Sequence, residues 1–354
     1  MVLLGFVISA WVGYAAHNVP NAETNAFTWR FPIAIAAIPA VFIAFSLQWL
    51  PESPRYLVRQ GMTEQAYRGM MKLYYDGTNR SQIQQIVEDI DIQWKQEASI
   101  CRHESDWVVM FKVPAWRRRT LDALIPSALT QFTGINIITY YQNTMYKALD
   151  VSDQTSLLLN AMYHMVGPVC TFIFMLFIVD KYGRKAPLFV ASLLLPLLFI
   201  VFAILSSRVE HDQNPTASKG GIAVMFIYNA VFGFSFGPVG WIYLPEMLPL
   251  RTRGKATALG AALGNWAMNV VVSQISPLAL QAITWKYYIV YVVLMLGMTA
   301  PVVWFFVKEP KGLSLERMEV LWEQAGDDRE RPSGATVELG HRKNYTMSSG
   351  TSSM

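Results

Sequence analysis

Charged residues divide this chain into long uncharged runs, each of a length typical of a helix that crosses a membrane. Seven long runs contain no Asp, Glu, Lys or Arg. They lie between the charged residues Arg30 and Glu52, Asp122 and Lys147, Asp153 and Asp180, Lys185 and Arg208, Lys219 and Glu246, Lys255 and Lys286, and Lys286 and Lys308. A helix needs about 20 mostly apolar residues to span a bilayer. With a shorter apolar stretch at residues 2–16, the pattern predicts about eight transmembrane helices in an all-α polytopic membrane protein.

One long polar segment, residues 51–119, interrupts these spans. Two stretches within it, Glu64 to Leu73 and Gln82 to Ile100, have amphipathic helical spacing without enough apolar length to span, so we expect short helices beneath the membrane domain. The polar, Ser/Thr-rich end after about Gln324 has a composition typical of disorder. The pattern therefore divides the chain into residues 1–50, 51–119, 120–308 and 309–354.

Composition and charge agree with a membrane protein and suggest its orientation. The chain has 354 residues, of which 53% are hydrophobic and only 15% charged, which is too apolar for a soluble domain of this size. If Met1 is cytoplasmic, the predicted inside segments hold 24 of the 29 Lys and Arg residues and the outside segments hold 5. This asymmetry satisfies the positive-inside rule and predicts that both termini are cytoplasmic.

Amide and aromatic side chains inside the spans are the first candidates for chemistry. The run after Asp122 contains Gln131, Gly134 and Asn136, followed by Tyr140 and Tyr141. Buried amides are costly in a bilayer unless they are paired or solvated, so we expect them to face the bundle interior. Five residues on a regular helix are about 140° apart, so Gln131 and Asn136 can share a cavity only if Gly134 loosens the turn between them.

Two later spans add similar side chains. Asn265, Trp266 and Asn269 follow the glycine pair Gly260 and Gly264, whose spacing suits close helix packing. Together with Trp241 they would complete a pocket in which amides bind hydroxyl groups and aromatic rings cover the C–H face of a neutral polyhydroxylated ligand. Hydrogen bonding between helices is the alternative role for these amides.

The end of the run before Glu246 carries helix-breaking residues. Two glycines and two prolines within residues 237–245 predict local bending or unwinding, which a bilayer tolerates only in buried or cavity-lining backbone. Glu246 and Arg253 follow, seven residues apart, at the predicted membrane boundary. We interpret this stretch as a gate, with a Pro-kinked helix and ordinary boundary charges as the alternative.

Other classes of function find no support in the sequence. No nucleophile elbow, phosphate-binding glycine loop or HExxH motif occurs, and Cys101 and Cys170 have no metal-ligand spacing. We therefore expect no enzymatic activity, no cofactor and no metal. The basic cluster at residues 117–119 flanks a membrane helix, so we expect it to contact anionic lipid rather than nucleic acid.

Taken together, the motifs resemble those of the sugar porter family of the major facilitator superfamily. The resemblance lies in residues 51–57 (PESPRYL), 131–136 with Tyr140 and Tyr141, 180–185, Gly237 with Pro238 and Trp241, Glu246 with Arg253, Asn265 with Trp266, and 309–316. It covers nearly the whole chain to about Trp322 and corresponds to helices five to twelve of a twelve-helix fold. Residues 1–50 would then be the last two helices of the first half, 51–119 the cytoplasmic helical loop, and 120–308 the whole second half.

The resemblance implies alternating-access transport of a sugar, such as a hexose, in the plasma membrane. It implies sugar contacts at Gln131, Asn136, Trp241 and Asn265, with Tyr141 and Asn269 near them. It also implies a cytoplasmic charge network that closes the outward-facing state, formed by Glu52, Arg55, Asp180, Arg184, Glu246, Arg253 and Glu309.

The sequence departs from the family pattern in ways that leave alternatives open. Thr130 stands where the family has the first of two glutamines, and Lys308 to Gly312 reads KEPKG instead of PETKG. The first four helices are absent, which removes one wall of the expected cavity. A chain inactive in this form, a non-transporting sugar sensor and a membrane partner subunit are therefore alternatives.

Coupling to protons is also open. A proton carrier needs a titratable group at membrane depth, and no Asp or Glu lies within a predicted span. We interpret His164 as a structural buried histidine, so residues 1–354 are predicted to contain no obligatory proton carrier. A symporter would need its carboxylate in the missing helices; otherwise the protein is a facilitator.

Overall fold

The computed structural model describes residues 2–19, 26–99, 104–212, 214–249 and 251–309. These residues form α-helices joined by short connections, without a β-strand among them, which confirms the predicted all-α fold class. In chain order the helices are α1 (Val2–His17), α2 (Phe27–Ser46), α3 (Pro54–Arg59), α4 (Thr63–Tyr74), α5 (Arg80–Ser99), α6 (Asp106–Lys112), α7 (Pro114–Phe132), α8 (Ile135–Tyr140), α9 (Gln142–Ala148), α10 (Asp153–Ile173), α11 (Val179–Tyr182), α12 (Lys185–Asp212), α13 (Pro215–Gly233), α14 (Phe236–Glu246), α15 (Arg253–Leu259), α16 (Met268–Ile283), α17 (Tyr287–Leu294) and α18 (Ala300–Phe306). The predicted disordered tail lies outside the described residues.

Several of these helices join into apolar stretches that are long enough to cross a membrane. By length and composition they are Phe27–Ser46, Asp153–Tyr182, Lys185–Asp212, Pro215–Glu246 and Arg253–Phe306. The last has 54 residues, or about 80 Å of helix at 1.5 Å per residue, and a 3₁₀ turn at Thr284–Lys286 divides it into two crossings. The shorter apolar helix α1 and the broken helix α7–α9 occupy the positions of the remaining two predicted spans.

Three of the long helices contain a π-helical segment, at Phe174–Ile178, Gly260–Ala267 and Met295–Thr299. An extra residue per turn changes the directions in which the following side chains point, and such segments are frequent at functional sites. The second of them contains Asn265 and Trp266, two of the predicted pocket residues.

The helix of residues 114–148 is broken at the glycine that the sequence singled out. Gly134 has a φ of +80° between α7 and α8, a left-handed conformation that glycine adopts without steric cost. A Cβ at this position would lie 2.8 Å from the ring of Phe199 and 2.9 Å from that of Tyr291. Close packing against the aromatic core therefore fixes the position of the break.

The predicted break near Gly237 lies elsewhere. The chain leaves helical geometry at Ser235, with φ −147° and ψ −99°, and α14 then continues without interruption from Phe236 to Glu246. Pro238 is tolerated because it occupies the first turn of α14, where the backbone N–H has no partner within the helix. The irregular backbone therefore precedes the first turn of α14, and the end of α14 stays helical.

Aromatic packing in residues 120–308 forms the main core. Phe199 of α12 lies at its centre, with ring centroids 4.7 Å from Tyr228, 6.0 Å from Tyr288 and 6.1 Å from Tyr291. Helix α1 packs against α10 and α2, whereas no described residue of α2 is buried. The outer surface of the bundle carries large exposed apolar side chains such as Phe177 and Phe305, which is appropriate for contact with lipid rather than water.

The polar segment before α7 forms short helices, as predicted, and a charged cluster joins them to the end of α14. Helices α3, α4 and α5 share a small apolar core. Asp106, at the start of α6, forms ion pairs with Arg251 and Arg59 at 3.0 Å and with Lys255 at 3.1 Å. Glu97 of α5 accepts a hydrogen bond from the Arg251 backbone N–H at 2.5 Å. We call these five residues the Asp106 cluster.

Candidate functional site

A cavity of about 440 Å³ lies among the helices that carry the predicted pocket residues. Side chains from α1, α7, α8, α10, α13, α14, α16 and the second π-helical segment line it. They are Leu3, Phe6, Thr130, Gln131, Ile135, Asn136, Thr139, Tyr140, Tyr163, His164, Gly167, Pro168, Thr171, Asn229, Phe232, Gly233, Gly237, Pro238, Trp241, Asn265, Trp266 and Asn269. The structure therefore brings five of the six predicted ligand contacts to one cavity.

A chain of three amides forms the polar side of this cavity. Asn136 donates a hydrogen bond to the side-chain oxygen of Gln131, and Gln131 donates in turn to the side-chain oxygen of Asn265. Gln131 and Asn136 meet because the break at Gly134 turns α8 relative to α7. A primary amide has two N–H groups and two acceptor lone pairs, so each keeps hydrogen-bonding capacity for a ligand. Such an uncharged array suits hydroxyl groups better than ions.

Close helix packing places Asn265 beside Gln131. A Cβ on Gly264 would lie 3.2 Å from the Cβ of Ser127, and a Cβ on Gly260 would lie 2.7 Å from Leu244. The glycine pair thus allows the second π-helical segment to approach α7 and α14 closely, as its spacing predicts. Farther along, Asn269 of α16 donates a hydrogen bond to the Tyr140 hydroxyl at 3.0 Å.

Two indole rings line the cavity together with the amides. Trp241 is 55% exposed and Trp266 is 59% exposed, although both line the cavity. An aromatic face exposed beside amide groups is suited to the apolar C–H face of a ring that carries hydroxyl groups. The cavity thus combines hydrogen-bonding groups with aromatic surface.

Tyr141 is the predicted contact that does not line the cavity. It lies at the junction of α8 and α9, with φ −111° and ψ 20°, and its hydroxyl donates a hydrogen bond to the Ser273 carbonyl at 2.7 Å. The turn at this junction directs its ring towards α16, and the neighbouring Tyr140 lines the cavity instead. A ligand contact at Tyr141 remains only a sequence prediction.

Several lining residues were not predicted. Asn229 of α13 donates a hydrogen bond to the Tyr163 carbonyl at 2.8 Å, and it could have been found by the same signal as Asn136, an amide within an uncharged run. Leu3 and Phe6 of α1 carry no such signal, because apolar side chains in an apolar helix look alike. His164 lines the cavity and stacks on Phe6, with ring centroids 5.5 Å apart.

At one end of the bundle, three of the predicted gate residues meet. The Arg184 guanidinium forms an ion pair with Glu246 at 2.9 Å. The Glu309 carboxylate accepts hydrogen bonds from the backbone N–H groups of Arg184 and Lys185 at 2.8–3.0 Å. These contacts join the α11–α12 turn to the end of α14 and to the residues that follow α18.

The other four predicted gate residues are not part of this group. Arg253 donates to the Leu248 carbonyl at 2.9 and 3.2 Å and so closes the turn after α14. Glu52, Arg55 and Asp180 form no ion pair or hydrogen bond through their side chains within the described part of the chain. Their place in the network remains a prediction from the resemblance.

The sequence analysis also missed the Asp106 cluster. Asp106 and Arg251 are 145 positions apart, and the sequence pattern assigns no role to Asp106 and counts Arg251 only among the basic residues. Neither residue belongs to a short motif, so no local pattern could pair them. Their burial, with Asp106 8% and Arg251 6% exposed, distinguishes this cluster from ordinary solvated surface pairs.

The fold is similar to that of solved bacterial sugar symporters. It matches the major facilitator proton:xylose symporter XylE bound to 6-bromo-6-deoxy-D-glucose with a TM-score of 0.72 and 27% identity, covering 90% of this chain and 64% of that chain. The inward-open conformation of XylE from E. coli matches with a TM-score of 0.62. The sequence profile described as "Sugar (and other) transporter" matches residues 1–322.

The chain belongs to the sugar (and other) transporter family. Among its relatives, the MFS-type transporter criB of Aspergillus cristatus is 29% identical over 342 residues, which is 96% of this chain and 66% of the relative. The hexose transporter HXT10 of Saccharomyces cerevisiae is 28% identical over 92% of this chain and 59% of the relative, and the fructose transporter ght6 of Schizosaccharomyces pombe is 29% identical over 91% and 59%. The chain thus spans about three fifths to two thirds of the length of these family members.

Proposed function

We propose that the chain binds a sugar in the 440 Å³ cavity and moves it across a membrane by alternating access. The observation that carries this proposal is the hydrogen-bonded chain of Asn136, Gln131 and Asn265 in a cavity that Trp241 and Trp266 also line. Uncharged amides bind hydroxyl groups without the desolvation cost of an ion. Membership of a family with hexose and fructose carriers supports the same ligand class, and it supports a carrier rather than an enzyme.

The proposed orientation follows from charge. Both termini are cytoplasmic, because 24 of the 29 basic residues fall in segments of one side, and the resemblance to sugar porters favours the plasma membrane. In this orientation Arg184, Glu246 and Glu309 lie at the cytoplasmic end, and residues 51–119 form the loop between the two halves. The proposed division places residues 1–50 in the first half and 120–308 in the second.

The contacts of Arg184 with Glu246 and Glu309 act as the cytoplasmic gate in this proposal. Contacts made in only one conformation bias the equilibrium between conformations. The TM-score is higher with the ligand-bound XylE structure than with the inward-open one, 0.72 against 0.62, which supports assigning these contacts to a conformation other than the inward-open one.

The test is sugar uptake by the chain in proteoliposomes. We expect saturable uptake of glucose, and replacing Asn136 with Ala should raise its apparent KM roughly tenfold, because lost hydrogen bonds to hydroxyl groups are worth about 1–3 kcal/mol. Asn143→Ala is the matched control, since Asn143 is an exposed amide of α9 outside the cavity. Uptake should also be insensitive to a protonophore, because no carboxylate is among the described residues that line the cavity.

Two results would contradict the proposal. An unchanged KM in Asn136→Ala would remove Asn136 from the ligand contacts, and absence of any uptake by the chain would contradict transport. Binding of glucose without uptake would instead favour a sensor.

A further inference from the structure

Helix α6 has an apolar face that the rest of the described chain leaves half exposed. Val109 and Met110 are buried, on the side where α6 packs against α7 and α15. Trp107, Val108 and Phe111 lie on the opposite side of the helix, and they are 45%, 51% and 44% exposed. Large apolar side chains grouped on one exposed helix face indicate a surface that contacts something other than water.

This helix lies close to the point where the chain enters the membrane. Val113 separates α6 from α7 and has an extended conformation, with φ −77° and ψ 115°, so the chain changes direction there. Along α7 the exposed side chains change from Arg117 and Arg118 to the apolar Leu121. The stretch from Pro114 to Leu121 is about 10 Å of helix, and the headgroup layer of a bilayer is about 5–8 Å deep on each side. Helix α6 is therefore within reach of the lipid headgroups.

The corner between α6 and α7 carries positive charge. Lys112 pairs with Glu104, and the charge of Arg118 acts on the carboxylate of Asp122. Arg117 is exposed and forms no ion pair with a residue that the structure describes. The adjoining Asp106 cluster has three basic and two acidic members. Both groups thus hold one more basic than acidic side chain, which attracts anions.

We propose that α6 is an interfacial helix that binds the anionic surface of the membrane. Its apolar face inserts between the lipid headgroups, and Arg117 and Arg118 bind the phosphate and carboxylate groups. The proposal extends to α6 the lipid contact that the sequence predicts for residues 117–119. A bilayer fits better than a protein partner, because three apolar side chains are far fewer than the roughly 20 residues per side of a stable protein interface. The exposed apolar surface also continues onto α7 at Leu121.

The opposite side of α6 connects this membrane contact to the transmembrane bundle. Asp106 begins the helix and forms ion pairs with Arg251 and Lys255, which follow α14. The Lys255 ammonium group also lies 5.8 Å from the ring centroid of Trp107. One short helix thus joins the bundle on one face and the lipid surface on the other. The inference goes beyond sugar binding and does not depend on it.

The test measures the depth of a nitroxide label on Val108→Cys, in a chain without its two native cysteines. The labelled chain is reconstituted into vesicles of phosphatidylcholine alone or of an equal mixture with phosphatidylserine. Collisions with oxygen, which concentrates in lipid, are compared with collisions with a nickel chelate, which stays in water. Ile86→Cys is the matched control, because Ile86 is a β-branched side chain of α5 with 45% exposure. In the mixed vesicles we expect a several-fold higher oxygen-to-nickel ratio at position 108 than at position 86, and a lower ratio at position 108 in phosphatidylcholine alone.

Replacing both Arg117 and Arg118 with Gln tests the charge separately. Both side chains are exposed, so the fold should be unaffected, and the ratio at position 108 in mixed vesicles should fall to its value in phosphatidylcholine. Equal ratios at positions 108 and 86, or an equal ratio at position 108 in both kinds of vesicle, would overturn the inference. A label at position 108 that is protected from both reagents would indicate a second copy of this chain on α6 and would overturn it as well.

Discussion

At the scale of single residues, Gly134 connects the fold to the cavity. Its left-handed φ ends α7 and begins α8, and this break lets Asn136 reach Gln131 across five residues. The lack of a side chain is equally necessary, because Phe199 and Tyr291 occupy the space where a Cβ would lie. Backbone conformation, core packing and the arrangement of the amides therefore depend on the same position.

Replacing Gly134 with Ala should destabilise the chain and weaken sugar binding together. The left-handed conformation and the overpacking at Phe199 together predict a loss of about 3 kcal/mol in the free energy of unfolding. Thermal unfolding and glucose titration in detergent would measure both effects. Gly297→Ala is the control, because Gly297 has a negative φ and open space at its Cβ. Equal melting temperatures in the two variants would show that the break tolerates a side chain.

The same residues show how much of the site could be predicted from the sequence. Polar side chains in an uncharged run are conspicuous, so Gln131, Asn136 and Asn265 could be predicted. The sequence could not show that Tyr140 lines the cavity in place of Tyr141, because this depends on the turn between α8 and α9. Nor could the apolar wall of α1 be predicted, because leucine and phenylalanine there look the same whether they face lipid, protein or a cavity.

At the scale of helices, the α11–α12 turn depends on an anion from a distant segment. Gly183 has a φ of +77°, and a Cβ there would lie 2.5 Å from the Glu309 carboxylate. That carboxylate accepts hydrogen bonds from N–H groups at the start of α12, where the partial positive charge of a helix N-terminus favours an anion. The short loop motif of residues 180–185 thus binds the carboxylate of Glu309. The sequence of the loop alone does not indicate this contact.

Replacing Glu309 with Ala should open this end of the bundle. Labelling of Thr171→Cys, a cavity position, in a chain without its two native cysteines would measure access from the side of the membrane that carries Glu309. We expect several-fold faster labelling in Glu309→Ala, because the contact that joins the α11–α12 turn to the end of α18 is lost. Glu210→Ala removes an exposed carboxylate from the other end of α12 as the control. Identical rates in both variants would rule out Glu309 as a gate residue.

At the scale of the whole molecule, the Asp106 cluster attaches the polar helices to the membrane bundle. Arg251 contacts three separate points of the polar segment, since its guanidinium donates to Asp106 at 3.0 Å and to the Glu104 carbonyl at 2.9 Å while its backbone N–H donates to Glu97. Composition predicts both the polar helices and the membrane bundle. The way in which the two join is defined only by tertiary contacts between residues about 150 positions apart. The cluster lies close to the end of α14, which carries Glu246, so the polar helices and the proposed gate share a support.

Protonation of Asp106 should weaken this attachment in acid. Burial by itself raises the pKa of Asp106, but hydrogen bonds from Arg251 and Lys255 outweigh it and hold the pKa below its ordinary value of 3.8. Because the carboxylate has a lower pKa in the folded chain than in the unfolded chain, its contribution to stability is complete above about pH 4 and is lost as the pH falls through the folded value. At neutral pH, Asp106→Asn should lower the free energy of unfolding by about 3 kcal/mol, since it removes the carboxylate that pairs with the buried guanidinium of Arg251. Thermal unfolding between pH 7 and pH 3 should show the difference in stability between wild type and this variant shrink only below about pH 4.

The control variant Asp89→Asn, at an exposed position of α5, should follow the wild type throughout. A difference in stability between wild type and Asp106→Asn that stays constant down to pH 3 would contradict the assignment.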